Sequence, residues 1–249
     1  MARAAVLGRL TWQLGEVVEL VVETPTVMTL VLSAPGWTGH RPGQHIDVRL
    51  TAADGYQAQR SYSIASAPQE GRLAITVERL DDGEVSPYLA GELVVGDQLE
   101  FRGPIGGYFV WDGTDDDRPV VLVGGGSGVV PLMSMIRHRA AVGAATPMRL
   151  LYSARSIENV IYRGEIEGLA KDGVAVYQTL TRVQPPGWTG FGRRLDRAML
   201  EEVAWPVGDV PLALVCGPTS FVEVAAEILV GLGHDPRSVK TERFGATGG

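Results

Sequence analysis

The chain has 249 residues, of which 45% are hydrophobic and 20% are charged, and its formal net charge at pH 7 is -7. This length accommodates two domains, because single domains centre on roughly 100–150 residues. The acidic balance argues against a nucleic-acid binder, which needs clustered cations. No apolar run reaches the roughly 20 residues of a membrane span, and Gly8 and Arg9 interrupt the N-terminal apolar run before it reaches signal-peptide length. We therefore expect a monomeric cytoplasmic protein that contacts neither nucleic acid nor membrane.

The cysteine and histidine content limits the cofactors that this chain can hold. Cys216 is the single cysteine, so an internal disulfide is excluded. An iron-sulfur cluster held by four thiolates is excluded for the same reason. The histidines are scattered without metal-ligand spacing, and we assign no metal site. Any iron-sulfur cluster that takes part in the function is expected on a partner.

The first part of the chain is predicted to form short strands separated by turns that are rich in glycine, proline and aspartate. The predicted strands are residues 16–24, 29–35, 44–50, 73–80 and 97–104. Regular short strands of this kind are typical of an antiparallel Greek-key barrel. We assign residues 1–112 to this domain.

A further β-prone run in this domain, AQRSYSIASAP at residues 58–68, contains Arg60 and Tyr62. Side chains two residues apart on a strand point to the same face. One surface therefore presents a cation beside a flat ring. This pairing suits a ligand that combines a phosphate with an aromatic system.

After a polar run at residues 111–118, strands and helices alternate, and we assign residues 117–249 to a second domain. Near-continuous apolar runs at residues 119–126, 148–154, 174–180 and 212–218 are typical of strands buried in a parallel sheet. Helix-compatible stretches lie between or after them, at residues 130–141, 164–171, 196–203 and 220–231. This alternation predicts a doubly wound parallel sheet.

The first strand of the second domain runs into a glycine-rich loop and then into a helix. The residues concerned are Gly124, Gly125, Gly126, Ser127 and Gly128, with Pro131 in the first helical turn. Glycines let the backbone approach a pyrophosphate closely, and a helix N-terminus provides free N–H groups. The loop therefore predicts a dinucleotide site, although a glycine-rich turn that only packs is the alternative.

The end of the second strand in this domain bears on which dinucleotide binds. It carries Ser153 and Arg155, with no acidic residue before Glu158. An acid here typically holds the ribose diol of NADH, whereas an arginine accommodates the 2′-phosphate of NADPH. The sequence favours NADPH, with NADH possible. The alternative is that Arg155 stacks on adenine or is a solvated loop residue.

Five motifs in order resemble the ferredoxin-NADP+ reductase family, in which an antiparallel FAD-binding barrel precedes an NAD(P)-binding domain. They are RSYS at residues 60–63, GEVSPYL at 83–89, GPIGGYF at 103–109, GGGSGVVP at 124–131 and CGP at 216–218. The resemblance covers nearly the whole chain. It implies an FAD-dependent NAD(P)H oxidoreductase.

The resemblance also implies roles for the motif residues. Arg60 would bind the FAD pyrophosphate, Tyr62 would stack on the isoalloxazine, and Ser63 would hydrogen-bond near flavin N5, although plain strand alternation sends Ser63 to the opposite face. The second half of the pyrophosphate clamp would be formed by Gly83, Val85 and Ser86.

For the nucleotide domain, the resemblance places Cys216 beside the nicotinamide. Glu242 would relay a proton near the flavin, and Phe244 would cover its other face, with five residues following it. The remaining residues that the resemblance assigns to nucleotide binding are Gly125, Gly126, Ser127, Gly128, Pro131, Ser153, Arg155, Thr181, Arg182, Gly217 and Pro218.

The function implied by the resemblance is electron transfer from NADPH through FAD to a separate one-electron acceptor, such as a ferredoxin-like iron-sulfur protein. One alternative is an NAD(P)H:flavin reductase that releases reduced flavin. Another is a non-catalytic flavin-binding subunit that relays electrons within a complex.

Overall fold

The computed structural model describes residues 10–113 and 118–244. Its first part is a six-stranded antiparallel sheet with one short helix. The strands are β1 (Gln13–Thr24), β2 (Val27–Ser33), β3 (His45–Thr51), β4 (Gln57–Ser63), β5 (Leu73–Glu78) and β6 (Gln98–Ile105), and helix α1 is Ser86–Gly91.

The strand order β4-β3-β6-β1-β2-β5 curls the sheet so that its two edge strands meet. Ile64, directly after β4, forms a bridge with Ile75 of β5, and the Ala65 amide donates to the Ala74 carbonyl at 2.7 Å. The sheet therefore closes at one end. The barrel interior is filled by fully buried apolar side chains that include Leu30, Ile46, Val48, Ile75 and Phe101, and the prediction of an antiparallel barrel is confirmed.

The second part is a five-stranded parallel sheet flanked by helices. The strands are β7 (Val120–Gly125), β8 (Met148–Ala154), β9 (Val174–Leu180), β10 (Leu212–Pro218) and β11 (Val239–Phe244). The helices are α2 (Val129–Ala141), α3 (Arg163–Gly168), α4 (Arg197–Val203) and α5 (Thr219–Gly231). Within the described residues, none of these helices is long and apolar enough to cross a membrane.

The order β11-β10-β7-β8-β9 places β7 at the centre, with β8 and β9 on one side of it and β10 and β11 on the other. Val120 and Leu122 pack against α2 on one face, whereas Val121 and Val123 pack against α4 and α5 on the other. Burial on both faces explains the continuous apolar sequence of β7. The carboxyl ends of β7 and β10 form the switch point at which ligands bind in open α/β sheets, and the predicted doubly wound fold is confirmed.

Helix α2 joins the two parts, because one hydrophobic cluster contains residues of both. It includes Val31 and Ala74 of the barrel together with Leu132, Met133 and Met135 of α2. Polar contacts reinforce this interface: the Ser134 hydroxyl donates to the Ser66 carbonyl at 2.7 Å. The two parts therefore pack as one body around α2.

A buried hydroxyl chain crosses the same interface. The Tyr162 hydroxyl hydrogen-bonds to Thr76 of β5, which in turn lies 2.7 Å from the Thr29 hydroxyl oxygen of β2. Tyr162 has a left-handed backbone with φ 57°, which is uncommon for a residue with a Cβ atom. Its ring lies 4.5 Å from the Arg137 guanidinium carbon. These contacts hold the strained tyrosine against the barrel.

The predicted strands and helices all form, with bounds that differ by up to three residues, and helix α1 was not predicted. Strand β1 begins at Gln13, earlier than predicted, because Gln13 to Glu16 pair with β6. Strand β11 was not predicted, and it pairs in parallel with β10 from Val239 to Phe244. The predicted domain boundary at residues 112–117 falls mostly on residues 114–117, which lie outside the described residues, and the boundary stays a prediction.

Candidate functional site

A cavity of about 220 Å³ lies where the barrel meets the glycine-rich end of the parallel sheet. Both parts of the chain line it. The lining residues are Arg60, Ser61, Tyr62, Ser63, Thr76, Glu78, Leu80, Gly83, Glu84, Val85, Ser86, Ser127, Val130 and Phe244. Most of the residues predicted from the RSYS and GEVSPYL motifs thus meet in one place.

Strand β4 positions the side chains of the RSYS motif along the barrel wall of the cavity. Tyr62 pairs with Ile46 and Arg60 with Val48 of β3, so the two side chains point to one face. Burial raises the pKa of the Tyr62 hydroxyl, and the ring presents a neutral phenol. Ser63 is the last residue of β4 and lines the same cavity. Strand alternation alone had predicted that its side chain points to the opposite face.

Arg60 is joined to an acidic partner that sequence reasoning missed. Its Nη2 atom lies 2.6 Å from Glu84 Oε2, and the Tyr56 hydroxyl donates to Glu84 Oε1 at 2.6 Å. The hydrogen bonds from Tyr56 and Arg60 lower the pKa of Glu84, so Glu84 is a carboxylate. Among residues 10–113 and 118–244, Arg60 is the one cation that lines the cavity, and it is half-exposed there.

Gly83 and Ser86 lie close together at the turn into α1. A Cβ atom at position 83 would lie 2.8 Å from Ser86 Oγ, so only glycine fits without displacing this hydroxyl. Ser86 Oγ accepts a hydrogen bond from the Leu80 amide at 3.1 Å, which leaves its proton free to donate. Val85 is fully buried in the barrel core, so its side chain anchors the turn rather than serving as a polar ligand.

The glycine-rich loop forms a 3-10 turn, Gly126–Gly128, between β7 and α2. A Cβ atom at position 128 would lie 2.2 Å from the Cys216 carbonyl oxygen and 2.7 Å from the Gly217 amide nitrogen. The loop therefore packs directly on the backbone of β10, and glycine is required at this position. Pro131 is buried in the first turn of α2.

Glu78 of β5 reaches the same loop from the barrel. The Ser127 hydroxyl donates to Glu78 Oε2 at 2.9 Å, and both residues line the cavity. The contact ties the loop to the barrel through one hydrogen bond. Nothing in the local sequence around Glu78 signals it, because the two residues are 49 positions apart.

The carboxyl ends of β8 and β9 bring the residues predicted to favour a 2′-phosphate, Ser153 and Arg155, next to Thr181 and Arg182, which were predicted to contact the nucleotide. The Thr181 amide donates to the Ala154 carbonyl at 2.9 Å, and the Arg182 amide donates to the Arg155 carbonyl at 2.9 Å. Ser153 is buried in β8, whereas both arginines are exposed. Within residues 10–113 and 118–244, no hydrogen bond or ion pair engages either guanidinium. This edge of the sheet therefore offers two adjacent cations.

Glu242 and Cys216 occupy neighbouring positions on β11 and β10. Glu242 Oε2 is buried and has no hydrogen-bond partner among the described residues, while Oε1 lies 3.7 Å from His45 Nδ1. Burial raises the pKa of Glu242 to about 7 and lowers the pKa of His45. Burial also raises the pKa of the Cys216 thiol. The site thus contains a carboxyl group that changes its protonation near neutral pH.

Two phenylalanine side chains, Phe244 and Phe221, lie at the carboxyl ends of the parallel strands. Phe244 ends β11 and lines the cavity with about a third of its surface exposed. The Phe221 ring lies over the end of the sheet, 2.8 Å from a Cβ position at Gly217 and 2.9 Å from one at Gly125. Pro218, the last residue of β10, is exposed. The five residues after Phe244 lie outside the described residues.

Two family models match the chain, one for each part of the fold. The oxidoreductase FAD-binding domain matches residues 16–110, and the oxidoreductase NAD-binding domain matches residues 122–227. A protein named ferredoxin--NADP reductase B from Sorangium cellulosum is 35% identical over 209 residues, which are 81% of this chain and 84% of that protein. The chain is a member of the ferredoxin-NADP+ reductase family. The resemblance predicted from the five motifs is confirmed.

Another relative within the family is the glycine betaine monooxygenase reductase subunit of Chromohalobacter salexigens, which is 33% identical over 248 residues. The match covers 95% of this chain and 66% of that relative. The chain therefore spans about two thirds of the length of this oxygenase reductase subunit.

A solved structure supports the same fold. The FAD/NAD-binding domain of nitric oxide dioxygenase from Vibrio cholerae O1 biovar El Tor matches with a TM-score of 0.83 at 25% identity. The alignment covers 94% of this chain and 98% of that domain. The arrangement of a barrel followed by a parallel sheet is thus shared over nearly the full described length.

The cofactors of the family fit the residues that line the cavity, together with Gly128 and Glu242, which lie close along the chain to the lining residues Ser127 and Phe244. Arg60 provides the positive charge that a pyrophosphate needs, and Tyr62 provides a neutral ring beside it. Gly83 and Gly128 leave room where a Cβ atom would collide with the chain. The unpartnered Glu242 oxygen gives the site a polar group that a ligand can satisfy. The chain accordingly combines an FAD-binding domain with an NAD(P)-binding domain.

Proposed function

We propose that the chain is an NAD(P)H-dependent FAD oxidoreductase that passes electrons from NADPH to a separate one-electron acceptor. The observation that carries this proposal is the shared cavity, in which Arg60 and Tyr62 of the barrel meet Ser127 and Phe244 of the nucleotide domain. A site built from both domains can hold two ligands in contact, which is the main contribution of a protein to hydride transfer.

FAD supplies, when bound, the ability to accept a hydride and to release electrons singly. The barrel residues orient it: Tyr62 offers a ring face, Arg60 offsets phosphate charge, and Ser63 and Ser86 offer hydroxyl groups. The nucleotide domain supplies the opposite wall. The proposed cofactor-binding roles of Gly125, Gly126, Ser127, Gly128 and Pro131 follow from their position at the carboxyl end of β7.

Cys216 and Glu242 act on the reacting end of the site in this proposal. Burial raises the pKa of Glu242 to about 7, so its protonated and ionised forms are both populated at neutral pH and it can take up or release a proton there. The Cys216 side chain is neutral and buried beside it, so it shapes the local space without adding charge.

The preference for NADPH over NADH rests on the unpaired cations at the ends of β8 and β9. Arg155 and Arg182 are exposed and adjacent through their backbones, and a 2′-phosphate is a suitable partner for two guanidinium groups. Glu158, the nearest acid, accepts a hydrogen bond from Ser156 at 2.5 Å. Ser153 and Thr181 complete this proposed subsite.

A ferredoxin-like iron-sulfur protein is the acceptor that we propose. Support comes from the relatives, which are named reductase subunits of oxygenases or ferredoxin--NADP reductases. A cytoplasmic location and a monomeric state stay predictions from the sequence.

An anaerobic titration of the purified protein tests the proposed function. The yellow flavin spectrum should be retained after gel filtration and bleached by NADPH, and more slowly by NADH. A bound flavin that neither nucleotide reduces would contradict the proposal and favour the electron-relay subunit, and a protein that binds no flavin when FAD is added would contradict both. Flavin that is reduced by NADPH but lost on gel filtration would instead favour a reductase that releases free reduced flavin.

A further inference from the structure

A second cavity adjoins the first and shares one residue with it. It has a volume of about 530 Å³ and is lined by residues of β3, β4, β6 and α1, including Ala58 and Tyr88, and by Tyr56 and Glu84, which precede β4 and α1. Glu84 lines both cavities. The two spaces therefore meet at the ion pair between Glu84 and Arg60.

Strand β4 passes from one cavity to the other. Tyr62 and Arg60 line the first cavity, Ala58 lines the second, and these alternate residues share one face of the strand. Tyr56 precedes the strand, and its carbonyl accepts a hydrogen bond from the Ala52 amide at 2.8 Å, which keeps it in the hairpin. A rise of about 3.3 Å per residue puts Tyr56 roughly 13 Å along the chain from Arg60.

This order of side chains matches the order of chemical groups in a flavin dinucleotide. Tyr62 offers a ring face for the isoalloxazine, and Arg60 offers a cation for the pyrophosphate. Beyond them, the Glu84 carboxylate lies 2.6 Å from both Arg60 Nη2 and the Tyr56 hydroxyl oxygen. A carboxylate at such a point can accept hydrogen bonds from a ribose diol, as acids do in dinucleotide sites.

Tyr56 is suited to an adenine base. Its side chain is 57% exposed, so the ring is open to a ligand. Base stacking on an aromatic side chain tolerates any base and contributes about tenfold or more to affinity.

We propose that Glu84 and Tyr56 form the adenosine subsite of the flavin site, with Glu84 accepting the ribose hydroxyls and Tyr56 stacking on adenine. This inference rests on the proposed flavin-binding function and adds the residues that select FAD over FMN. FMN ends in a phosphate that competes with Glu84 for Arg60 and is repelled by its carboxylate. FAD brings hydroxyl donors that compensate the carboxylate after the phosphates take Arg60.

Flavin binding to the apoprotein tests the subsite. Dissociation constants for FAD and FMN are measured by quenching of flavin fluorescence in the wild type and in Tyr56→Ala, Tyr56→Phe and Glu84→Gln. Tyr56→Ala should weaken FAD roughly tenfold and leave FMN unchanged, while Tyr56→Phe, which keeps the ring, should lose much less. Glu84→Gln should bind FMN more tightly and FAD no better, so that the preference for FAD falls.

Glu92→Gln is the matched control, because it removes the same charge at an exposed residue that lines neither cavity. It should bind both flavins as the wild type does. FMN affinity reports on folding, since a misfolded variant would lose both flavins. Equal losses of FAD and FMN in Tyr56→Ala, or an unchanged FAD to FMN ratio in Tyr56→Ala and Glu84→Gln, would overturn the subsite. A wild-type protein that binds neither flavin would instead overturn the proposed function.

Discussion

The barrel wall of the cavity and the glycine-rich loop opposite it use different parts of the chain to meet a ligand. The barrel presents side chains, with Arg60, Tyr62 and Ser86 aimed into the cavity. The loop presents backbone, because Gly128 brings the chain against the carbonyl of Cys216. Ligand binding at the barrel wall should therefore respond to a change of side-chain charge. Ligand binding at the loop should respond to the addition of a single carbon atom at Gly128.

Gly128→Ala should have the largest effect, because its new Cβ atom would meet the β10 backbone at 2.2 Å. Relief requires the loop to move, and overpacking of this kind costs about 3 kcal/mol of unfolding free energy. Chemical denaturation measures the loss, and NADPH binding should weaken while FAD stays bound. Gly164→Ala is the control, because a Cβ atom there meets nothing within 4 Å; similar behaviour of the two variants would contradict the close approach.

Arg60→Ala should weaken FAD binding at the barrel wall of the cavity. Loss of this cavity-lining cation should weaken FAD binding by about 100-fold, in line with the strength of a charge-assisted hydrogen bond. Equilibrium dialysis with FAD measures this, and NADPH binding to the nucleotide domain should change little. An Arg60→Ala protein that keeps its flavin through gel filtration would show that the barrel site does not depend on this charge.

Glu242→Gln should change how stability depends on pH. Burial raises the Glu242 pKa from 4.5 to about 7, so the folded wild type binds a proton that the unfolded chain has released between these values. Its unfolding free energy therefore falls as pH rises through this window. Glutamine does not titrate, and the stability of Glu242→Gln relative to wild type should rise by roughly 2 kcal/mol between about pH 5 and pH 7.

Denaturation of the apoprotein at several pH values checks the Glu242 prediction. His45 and Cys216 face Glu242 and stay in both proteins, so the difference between the two profiles reports the Glu242 carboxyl together with its coupling to these two groups. The exposed Glu92→Gln variant should show no such slope. Parallel pH profiles for wild type and Glu242→Gln would mean that the carboxyl titrates normally.

Arg155→Ala should have the smallest effect of the four substitutions. It tests the proposed preference of the nucleotide domain for NADPH over NADH. We expect NADPH to weaken about tenfold, because an exposed guanidinium–phosphate contact is lost, and NADH to change little. Steady-state KM values for both nucleotides measure the split. Arg163→Ala serves as the control, since Arg163 pairs with Glu167 on α3; equal losses for NADPH and NADH in Arg155→Ala would remove the 2′-phosphate role.

The sequence predicted both parts of the fold and many of the residues that meet in the cavity, because the local pattern is strong there. Alternation places Arg60 and Tyr62 on one face, and a buried strand that enters glycines points to the nucleotide loop. Strand β11 escaped prediction because its residues Lys240, Thr241, Glu242 and Arg243 are mainly polar, and only its pairing with β10 makes it a strand.

The partners of the predicted residues could not be found from the sequence. Glu84 is 24 positions from Arg60, and Glu78 is 49 positions from Ser127. His45 meets Glu242 only because the barrel packs against the end of β11. Contacts of this kind depend on how the two domains dock, and no local periodicity encodes the docking.

The burial of Cys216 affects how readily its thiol is oxidised. Its side chain is 1% exposed, and burial keeps the thiol protonated by raising its pKa. Oxidants attack the thiolate, and the first product of that attack is a sulfenic acid. A neutral, enclosed thiol therefore withstands peroxide that would damage an accessible one, so this cysteine would remain unmodified beside the proposed flavin.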